Sequence, residues 1–505
     1  MKLHSTFNIA CGVMLLVGAA SSAEQLSPLE ALGKALFFDP NLSRPAGQSC
    51  ASCHAPEAGW TSPDSRVNGA GAVVPGIIHA LAGNRKPPAV AYNVFAPVMH
   101  LGCGCLKTGC GCMTGGMDGA NCGCMGGGDA CSQAIVGGLF WDGRATGWVL
   151  GDPLAEQAMG PFINPLEMHS PNMKFVCLMV RNSAYADQFE AVWGPGSLDY
   201  VRDVSGTYER IAHSLAAYQR SAEVNPFSSK FDAFWRNATA KGLKVCDITM
   251  GGGGMGGGGM GGGGMGGGGM GGGGMGGGGM GGGGMGGGGM GGGGQMGNVS
   301  QYRNLGLTDM EVMGLAVFNT KGKCSACHSL TAGPGNTPPL FTDFRYHNLG
   351  IPKNPENPFY DLPRKFNPDG KDWADPGLGG FLATTAGAMA ADGTPADPSV
   401  DAAGNWGKHR TPTLRNVDKR PHPEFVKAFG HNGFFKDLMA ILHFYNTRDI
   451  LPICNEGGTP GVDCWPPPEV PVNINTTEMG NLGLTPPEGM AVIAFMKTLT
   501  DGFEP

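Results

Sequence analysis

Two short motifs in this 505-residue chain carry residue types suited to redox chemistry, Cys50-Ala-Ser-Cys53-His54 and Cys324-Ser-Ala-Cys327-His328. In such a motif the two thiols can add to the two vinyl groups of one porphyrin, and the adjacent imidazole can ligate its iron. A disulfide or a zinc hairpin would use the cysteines, but it would not explain why a histidine follows the second cysteine in both motifs. We therefore predict two covalently bound haem c groups, with His54 and His328 as iron ligands.

The net charge and the N-terminal segment indicate where in the cell the protein acts and which partners are excluded. The net charge of -7 is mild, and no basic stripe suggests binding to nucleic acid. Residues 1–23 predict a signal peptide, because Lys2 precedes an apolar stretch that ends at the small-residue cleavage site Ser21-Ser22-Ala23. No other segment is long and apolar enough to span a bilayer. We expect a periplasmic or cell-surface protein, where c-type haem is attached in bacteria.

Helix-start signals precede both haem motifs and recur near the C-terminus. Ser27–Glu30 and Thr308–Glu311 are capping boxes that open helices leading into the two motifs, and Thr485–Glu488 opens a closing helix. This repeated plan predicts a mainly α fold of two cytochrome c-type domains with long loops, packed against each other. We assign residues 24–249 to the N-terminal domain and residues 297–505 to the C-terminal domain.

A cysteine-rich insertion interrupts the first domain at residues 101–133. Its repeated Cys-Gly-Cys pairs favour thiolates that converge on a soft ion such as Cu(I), since cysteines so close together rarely pair with each other. A disulfide knot formed in an oxidising compartment is the alternative. The cysteines that could bind copper or another soft metal are Cys103, Cys105, Cys110, Cys112, Cys122, Cys124 and Cys131. Elsewhere, Cys454 and Cys464 flank a Gly/Pro-rich loop and are expected to form a disulfide.

A second insertion separates the two domains. Residues 250–294 are nine Met-Gly-Gly-Gly-Gly units. One methionine in five residues buries too little apolar surface to offset the backbone entropy of glycine, so we expect residues 250–296 to be a disordered linker. A plain flexible spacer and a weak Cu(I) tether both remain open.

The order of the remaining motifs indicates a family. The chain resembles the bacterial di-haem cytochrome c peroxidases, and more closely their MauG-like branch, across nearly the whole mature sequence outside the insertions. The motifs are Leu32-Gly-Lys-Ala-Leu-Phe-Phe-Asp-Pro40, Phe140-Trp-Asp-Gly-Arg144, Glu156-Gln-Ala158, Gly160-Pro-Phe-Ile-Asn-Pro-Leu-Glu-Met168, Leu340-Phe-Thr-Asp-Phe-Arg-Tyr-His-Asn-Leu-Gly350, Arg410-Thr-Pro-Thr-Leu-Arg-Asn-Val417 and His431-Asn-Gly433, together with the two haem motifs.

The resemblance implies that the haem at His54 is the peroxide site. Glu167 would then be the acid–base that moves a proton across bound peroxide, and Gln157 a polar neighbour of that pocket. Trp141 would lie between the haems and pass electrons. Heterolysis of an O–O bond needs such a proton shuttle, and a confined carboxylate has the raised pKa that suits it. The plain alternatives are a surface carboxylate for Glu167 and a core residue for Trp141.

The other ligand of the second iron distinguishes the branches of the family. Some members place a methionine twelve residues after the glycine equivalent to Gly433, whereas MauG-like proteins place a tyrosine there. The count gives Tyr445, while Met439 comes six residues too early. A phenolate stabilises high-valent iron, whereas a thioether favours the reduced state. Tyr445 as a core aromatic is the alternative.

The sequence also departs from the family at several positions. His79 is the only histidine near the expected distal face of the first iron, and we favour an open iron with His79 on a loop. Lys86 replaces an asparagine of the family's interdomain calcium site, so calcium remains open; a lysine ammonium could fill the same electrostatic role. Lys321-Gly-Lys323 stands where MauG has a tryptophan that oxidises a partner protein.

The function that the resemblance implies is an oxidoreductase of the cytochrome-c peroxidase type. It would reduce hydrogen peroxide with electrons from a small periplasmic cytochrome or cupredoxin. A close variant, favoured by Tyr445, is MauG-like oxidation of a side chain in a partner protein. A surface electron-transfer or copper-handling haem protein with little peroxidase activity is the alternative from another class.

Overall fold

The structure, a computed structural model, describes residues 25–104, 132–250, 297–385 and 402–504. The predicted signal peptide, most of the cysteine cluster and most of the Met-Gly tract lie outside these ranges. No helix in the described ranges is long and apolar enough to cross a membrane. Their α-helices are α1 (Pro28–Phe37), α2 (Ser65–Gly69), α3 (Pro153–Ile163), α4 (Met173–Arg181), α5 (Ala186–Trp193), α6 (Val204–Arg220), α7 (Lys230–Ala240), α8 (Asp309–Asn319), α9 (Gly377–Thr384), α10 (Leu438–Thr447) and α11 (Pro486–Lys497).

The mainly α prediction is confirmed, and apart from isolated bridges the β-strands of the described ranges form only short antiparallel pairs. Strand β1 (His100–Gly104) pairs with β2 (Ser132–Val136), and β3 (Tyr346–His347) pairs with β4 (His409–Arg410). The first pair brings together the two ends of the cysteine-rich insertion, with Gly104 opposite Ser132. The insertion is therefore connected to the rest of the protein through the end of a two-stranded β-ribbon.

The predicted capping boxes form and set the starts of the helices that lead to the haem motifs. At α1 the Glu30 backbone N–H donates to Ser27 Oγ at 3.3 Å, and the Ser27 N–H donates to Glu30 Oε2 at 2.7 Å. The Thr308 and Glu311 pair repeats this geometry at α8. Satisfying the free N–H groups of the first turn in this way typically stabilises a helix by about 1 kcal/mol. Each helix therefore starts at the residue that the sequence predicts.

The same close packing recurs in the two halves. Gly33 of α1 lies against the backbone carbonyl of Ser214 in α6, and Gly314 of α8 lies against the carbonyl of Ala491 in α11. In each case an added Cβ would collide with backbone, so only glycine permits the approach. The helix before each haem motif is thus held against a later helix of the same half by one glycine.

Within the described ranges two large apolar cores form, one around each haem motif. The first contains Leu36 and Phe37 of α1 with Leu215 of α6, and the second contains Phe318 of α8 with Phe495 of α11. Helix α7 lies before the Met-Gly tract, yet its side chains join the second core. The predicted boundaries of the two domains stay a prediction, but the chain changes from one core to the other ahead of α7.

The base of the Met-Gly tract is closed by hydrogen bonds. The Thr249 N–H donates to Asn298 Oδ1 at 2.8 Å, and Asn298 Nδ2 donates to the carbonyl of Asp247 at 2.9 Å. The chain therefore leaves and re-enters the second core at one point. Further along, Cys454 and Cys464 form the predicted disulfide.

Candidate haem and peroxide site

The first haem motif presents its residues in the form that haem attachment requires. Cys50 and Cys53 are not disulfide-bonded; Cys50 begins a short 3-10 turn and Cys53 caps its end. His54 Nδ1 lies 3.3 Å from the backbone carbonyl of Trp60, which fixes the tautomer and leaves Nε2 available for iron. Burial lowers the pKa of His54 to about 4, so its imidazole is neutral and able to ligate a metal.

The second haem motif repeats this geometry. Cys324 and Cys327 are likewise free of disulfides, and burial raises the pKa of the Cys324 thiol to about 12. His328 Nδ1 lies 2.9 Å from the carbonyl of Phe341, and burial lowers its pKa. Both histidines are therefore oriented by a backbone carbonyl rather than by a carboxylate. The residues present fit two covalently bound haems.

A mainly apolar pocket is lined both by the second haem motif and by the predicted bridging tryptophan. Its lining includes Cys324, Cys327, His328, Tyr445 and Trp141. Tyr445 projects from α10 into this pocket, and burial near the two cysteines raises its pKa. A buried phenol loses its proton only beside a strong positive centre, which ferric iron would supply. This position is compatible with an iron ligand, and the ligand role stays a prediction.

Met439, the other side chain considered for that ligand position, is turned away. It is 48% exposed on α10 and does not line the pocket, whereas Leu438, Leu442 and Tyr445 do. Helical geometry explains the difference, because six residues at about 100° each turn the Met439 side chain roughly 120° away from that of Tyr445.

Trp141 is buried, and hydrogen bonds fix both its indole and its backbone. Its indole Nε1 donates to the backbone carbonyl of Lys86 at 2.8 Å, and its own carbonyl accepts from the Arg410 N–H at 2.9 Å. The adjacent Asp142 forms an ion pair with Arg85, whose guanidinium also binds both oxygens of Asp375. These contacts connect segments of the first and second halves around the indole.

Glu167 lies on the loop after α3, close to the first haem motif. It is partly buried, and the negative charge of its carboxylate contributes to raising the pKa of both Cys50 and Cys53. Burial raises its pKa, opposed by the nearby guanidinium of Arg144 and a hydrogen bond with Asn164. The structure therefore brings Glu167 to the cysteines of the first haem motif as a carboxyl with a raised pKa.

The two remaining candidates near the first haem differ in burial. Gln157 is partly buried on α3, and His79 is exposed on the loop that packs against Glu167. The Ile77 N–H on that loop donates to the carbonyl of Glu167 at 2.8 Å, and Gly76 has no room for a Cβ against the carbonyl of Leu166. The loop that carries His79 is therefore fastened to the loop of the proposed acid–base.

The pocket contains buried positive charge that the described residues do not neutralise. Lys86, Arg410 and Lys427 form no ion pair within 4 Å in the described ranges, and Arg410 Nη1 has no hydrogen-bond partner there. Burial lowers the pKa of Lys86 to about 8 and that of Lys427 well below its usual value. Burial disfavours the charged form of a lysine, and buried charges are normally paired, so an anion in the pocket would stabilise these side chains in their charged forms. The propionate carboxylates of a bound haem would supply that charge, which is a second indication that the site fits the cofactor.

Lys427 also bears on the calcium question. Its ammonium donates to the backbone carbonyls of Ala58, Asn416 and Lys419 at 3.0, 2.8 and 3.0 Å. Three converging carbonyls are the kind of ligand set that a bound cation uses. A lysine ammonium occupies this set, close to Lys86, so positive charge is provided there by the chain itself.

Sequence reasoning gave no role to a group of ionisable residues beside the pocket. The rings of His409 and His431 stack at 3.7 Å with an interplanar angle of 11°, and His409 Nε2 lies 3.2 Å from Asp375. Parallel stacked imidazoles cannot direct their nitrogens at one ion, and Arg85 already binds Asp375. Both histidines stand in or beside quoted motifs, but the motifs alone did not show that they touch.

The chain is similar to known proteins over most of its length. Residues 27–240 match the family model described as di-haem cytochrome c peroxidase. The chain is 30% identical to the methylamine utilization protein MauG of Paracoccus denitrificans, over 96% of this chain and 93% of that protein. It is 26% identical to the cytochrome c551 peroxidase of Nitrosomonas europaea over 45% of this chain and 52% of that protein. The crystal structure of the diheme peroxidase BthA from Burkholderia thailandensis covers 95% of this chain and is itself 90% covered, with a TM-score of 0.59 and 25% identity.

Proposed function

Because the chain belongs to the di-haem cytochrome c peroxidase and MauG family, we propose that it reduces hydrogen peroxide at the haem of His54 with electrons that arrive through the haem of His328. The two halves act as cytochrome c-type domains. The protein works in the periplasm or at the cell surface, in keeping with the exported character of the predicted signal peptide.

The observation that carries the proposal is the position of Glu167. A partly buried carboxyl with a raised pKa lies close to Cys50 and Cys53, the residues that attach the first haem. When bound, the haem supplies the iron centre at which a peroxide O–O bond is broken. Glu167 accepts the proton from one peroxide oxygen and returns it to the other, which is general acid–base catalysis.

The pocket shared by the two halves supports the delivery of electrons. Trp141 lines the same pocket as His328 and Tyr445, and its backbone and indole are both fixed by hydrogen bonds. A fixed indole between two redox centres keeps the distance and orientation for electron transfer constant. Tyr445, as a hard anionic ligand, makes the second centre suited to holding an oxidising equivalent.

The electron donor in this proposal is a small c-type cytochrome or a cupredoxin. A partner protein whose side chain is oxidised is the related possibility, and Tyr445 together with the likeness to MauG favours it. The route would differ from that of MauG, because Lys321-Gly-Lys323 precedes the second haem motif and the ammonium of Lys321 is paired with Glu488 at 2.7 Å.

The replacement Glu167→Gln tests the proposal. It keeps the shape of the side chain and removes its ability to exchange a proton. We expect the second-order rate of the peroxide reaction, followed by stopped-flow absorbance of the haems, to fall by roughly 10²–10⁴-fold. The matched control is Glu57→Gln, an exposed glutamate near the same motif, which should leave the rate unchanged. Equal rates in all three proteins would contradict the proposal.

A further inference from the structure

A cluster of buried aromatic rings begins directly beside the first haem motif. The carbonyl of Trp60 is the hydrogen-bond partner of His54 Nδ1, and the Trp60 ring packs on the ring of Tyr218 with centroids 6.2 Å apart. Phe37 contacts both rings, at 5.9 Å from Trp60 and 5.5 Å from Tyr218. Two oxidisable side chains therefore follow each other from the ligand of the peroxide haem towards α6.

The far end of this cluster has a proton acceptor at the surface. The Tyr218 hydroxyl donates to Glu223 Oε1 at 3.0 Å, and Glu223 pairs with Lys34 at 2.7 Å. Tyr218 itself is fully buried, whereas 39% of the Glu223 side chain is exposed. Burial and the nearby carboxylate raise the pKa of Tyr218, so the phenol is neutral at rest. A tyrosine releases its proton when it is oxidised, and Glu223 can accept it and pass it to water.

The other tyrosines that donate to carboxylates lack a solvent-exposed proton acceptor. Tyr185 donates to Asp39 and Tyr92 donates to Asp501, but each of these carboxylates is only 8% exposed. The ring contacts of Tyr92 do not include another oxidisable ring. Tyr218 combines a tryptophan neighbour with a carboxylate that reaches solvent.

We propose that Tyr218 is a redox-active residue that takes an oxidising equivalent from the first haem site, and passes its proton towards the surface, when peroxide is present and no electron donor is. The idea rests on the proposed function, in which hydrogen peroxide is the oxidant. Tyr218 loses one electron, through Trp60, to the peroxide-oxidised site, and its O–H bond breaks as the proton passes to Glu223. The products are a neutral tyrosyl radical, a protonated Glu223 and a site reduced by one electron.

The experiment uses the full protein with both haems, mixed with hydrogen peroxide without a donor and frozen within milliseconds. EPR spectroscopy should show an organic radical whose signal narrows when the protein contains ring-deuterated tyrosine. In Tyr218→Phe the tyrosyl signal should be lost. The matched control is Tyr208→Phe, since Tyr208 is buried on the same helix but donates to the neutral carbonyl of Met159. Trp60→Phe and Glu223→Gln should each slow the formation of the radical.

The optical spectrum of the same samples separates the two proposals. A haem spectrum that responds to peroxide supports the proposed function. If, in addition, the Tyr218→Phe protein keeps the tyrosyl EPR signal, or the Tyr185→Phe protein alone loses it, Tyr218 is not the site of the radical. If the haem spectrum does not respond, the proposed function fails. Photo-oxidation with a ruthenium complex and a quencher then supplies the oxidant, and retention of the tyrosyl signal in Tyr218→Phe overturns the inference, whereas its loss supports it.

Discussion

The indole of Trp141 and the backbone of Lys86 are joined by a hydrogen bond of 2.8 Å. The Lys86 N–H donates in turn to the carbonyl of His431 at 2.9 Å, and the Arg410 N–H donates to the carbonyl of Trp141. Lys86 and Trp141 belong to the first half of the sequence, and Arg410 and His431 to the second. The tryptophan is therefore fixed by both halves, so its position depends on how they meet.

Replacing Trp141 with phenylalanine should separate electron delivery from peroxide binding. The change removes the indole and its bond to Lys86 but keeps an aromatic ring in the pocket. We expect donor-dependent turnover to fall by at least about tenfold, which corresponds to about 1.4 kcal/mol in the barrier, while haem content stays constant. Trp148→Phe is the matched control, because Trp148 Nε1 also donates to a backbone carbonyl at 2.8 Å, that of Met99, outside the pocket. An equal loss in both variants would indicate packing rather than electron transfer.

The pH dependence of the peroxide reaction should report the carboxyl of Glu167. The base form is required first, so the rate should fall as the pH drops through its pKa. Burial raises that pKa above its usual value of 4.5, and Arg144 holds it down. We therefore expect an acid limb with a midpoint above 4.5 that moves higher in Arg144→Met and disappears in Glu167→Gln. Arg66→Met, at a highly exposed arginine, should leave the midpoint in place. A midpoint unchanged in Arg144→Met would contradict the assignment.

Local chemistry made part of this structure predictable. The capping boxes at Ser27 and Thr308 identify helix starts from residues three positions apart, and the haem motifs are contiguous. The cluster of Lys86, Arg410 and Lys427 was not predictable, because Lys86 lies more than 300 positions before the other two in the sequence and meets them only when the two halves pack. Their meaning also depends on the absence of ion-pair partners among the described residues, which no local pattern reveals.

The ligand role of Tyr445 can be checked by spectroscopy. Tyr445→Phe and Tyr445→Met should both change the optical and EPR spectra of the second haem, and the methionine variant should have the higher reduction potential, because a thioether favours reduced iron. Tyr302→Phe is the control, since Tyr302 is buried in the same core and donates to the carbonyl of Lys244. Unchanged haem spectra in both Tyr445 variants would show that it is a packing residue.

The glycine contacts predict matched losses of stability in the two halves. Gly33→Ala and Gly314→Ala each place a methyl group into a backbone carbonyl of the neighbouring helix. Overpacking of this kind typically lowers the free energy of unfolding by about 1–3 kcal/mol. Gly69→Ala, with open space around its Cβ, should instead raise it by about 0.4–1 kcal/mol. Denaturant unfolding followed by far-UV circular dichroism measures each change, and equal midpoints for all three would contradict the packing argument.

The ribbon of β1 and β2 allows the cysteine-rich insertion to be removed without opening the fold. Gly104 and Ser132 are the last paired residues, so replacing residues 105–131 with Asn-Gly gives a two-residue hairpin turn that matches the twist of the strands. We expect this variant to retain both haems, its unfolding midpoint and its peroxide turnover. Its capacity for Cu(I), measured by titration against a chromogenic chelator, should fall sharply because most of the cluster is gone.

A full-length variant with serine at all seven cysteines of the insertion distinguishes thiolate ligation from the length of the segment. It should lose Cu(I) binding to the same extent as the hairpin variant, since serine hydroxyls are hard, neutral ligands with little affinity for a soft ion. If both variants bind as much Cu(I) as the parent protein, the copper prediction is wrong and the disulfide knot becomes the better interpretation. If the hairpin variant loses peroxide turnover while the serine variant keeps it, the insertion supports the peroxide site through its backbone and not through its thiols.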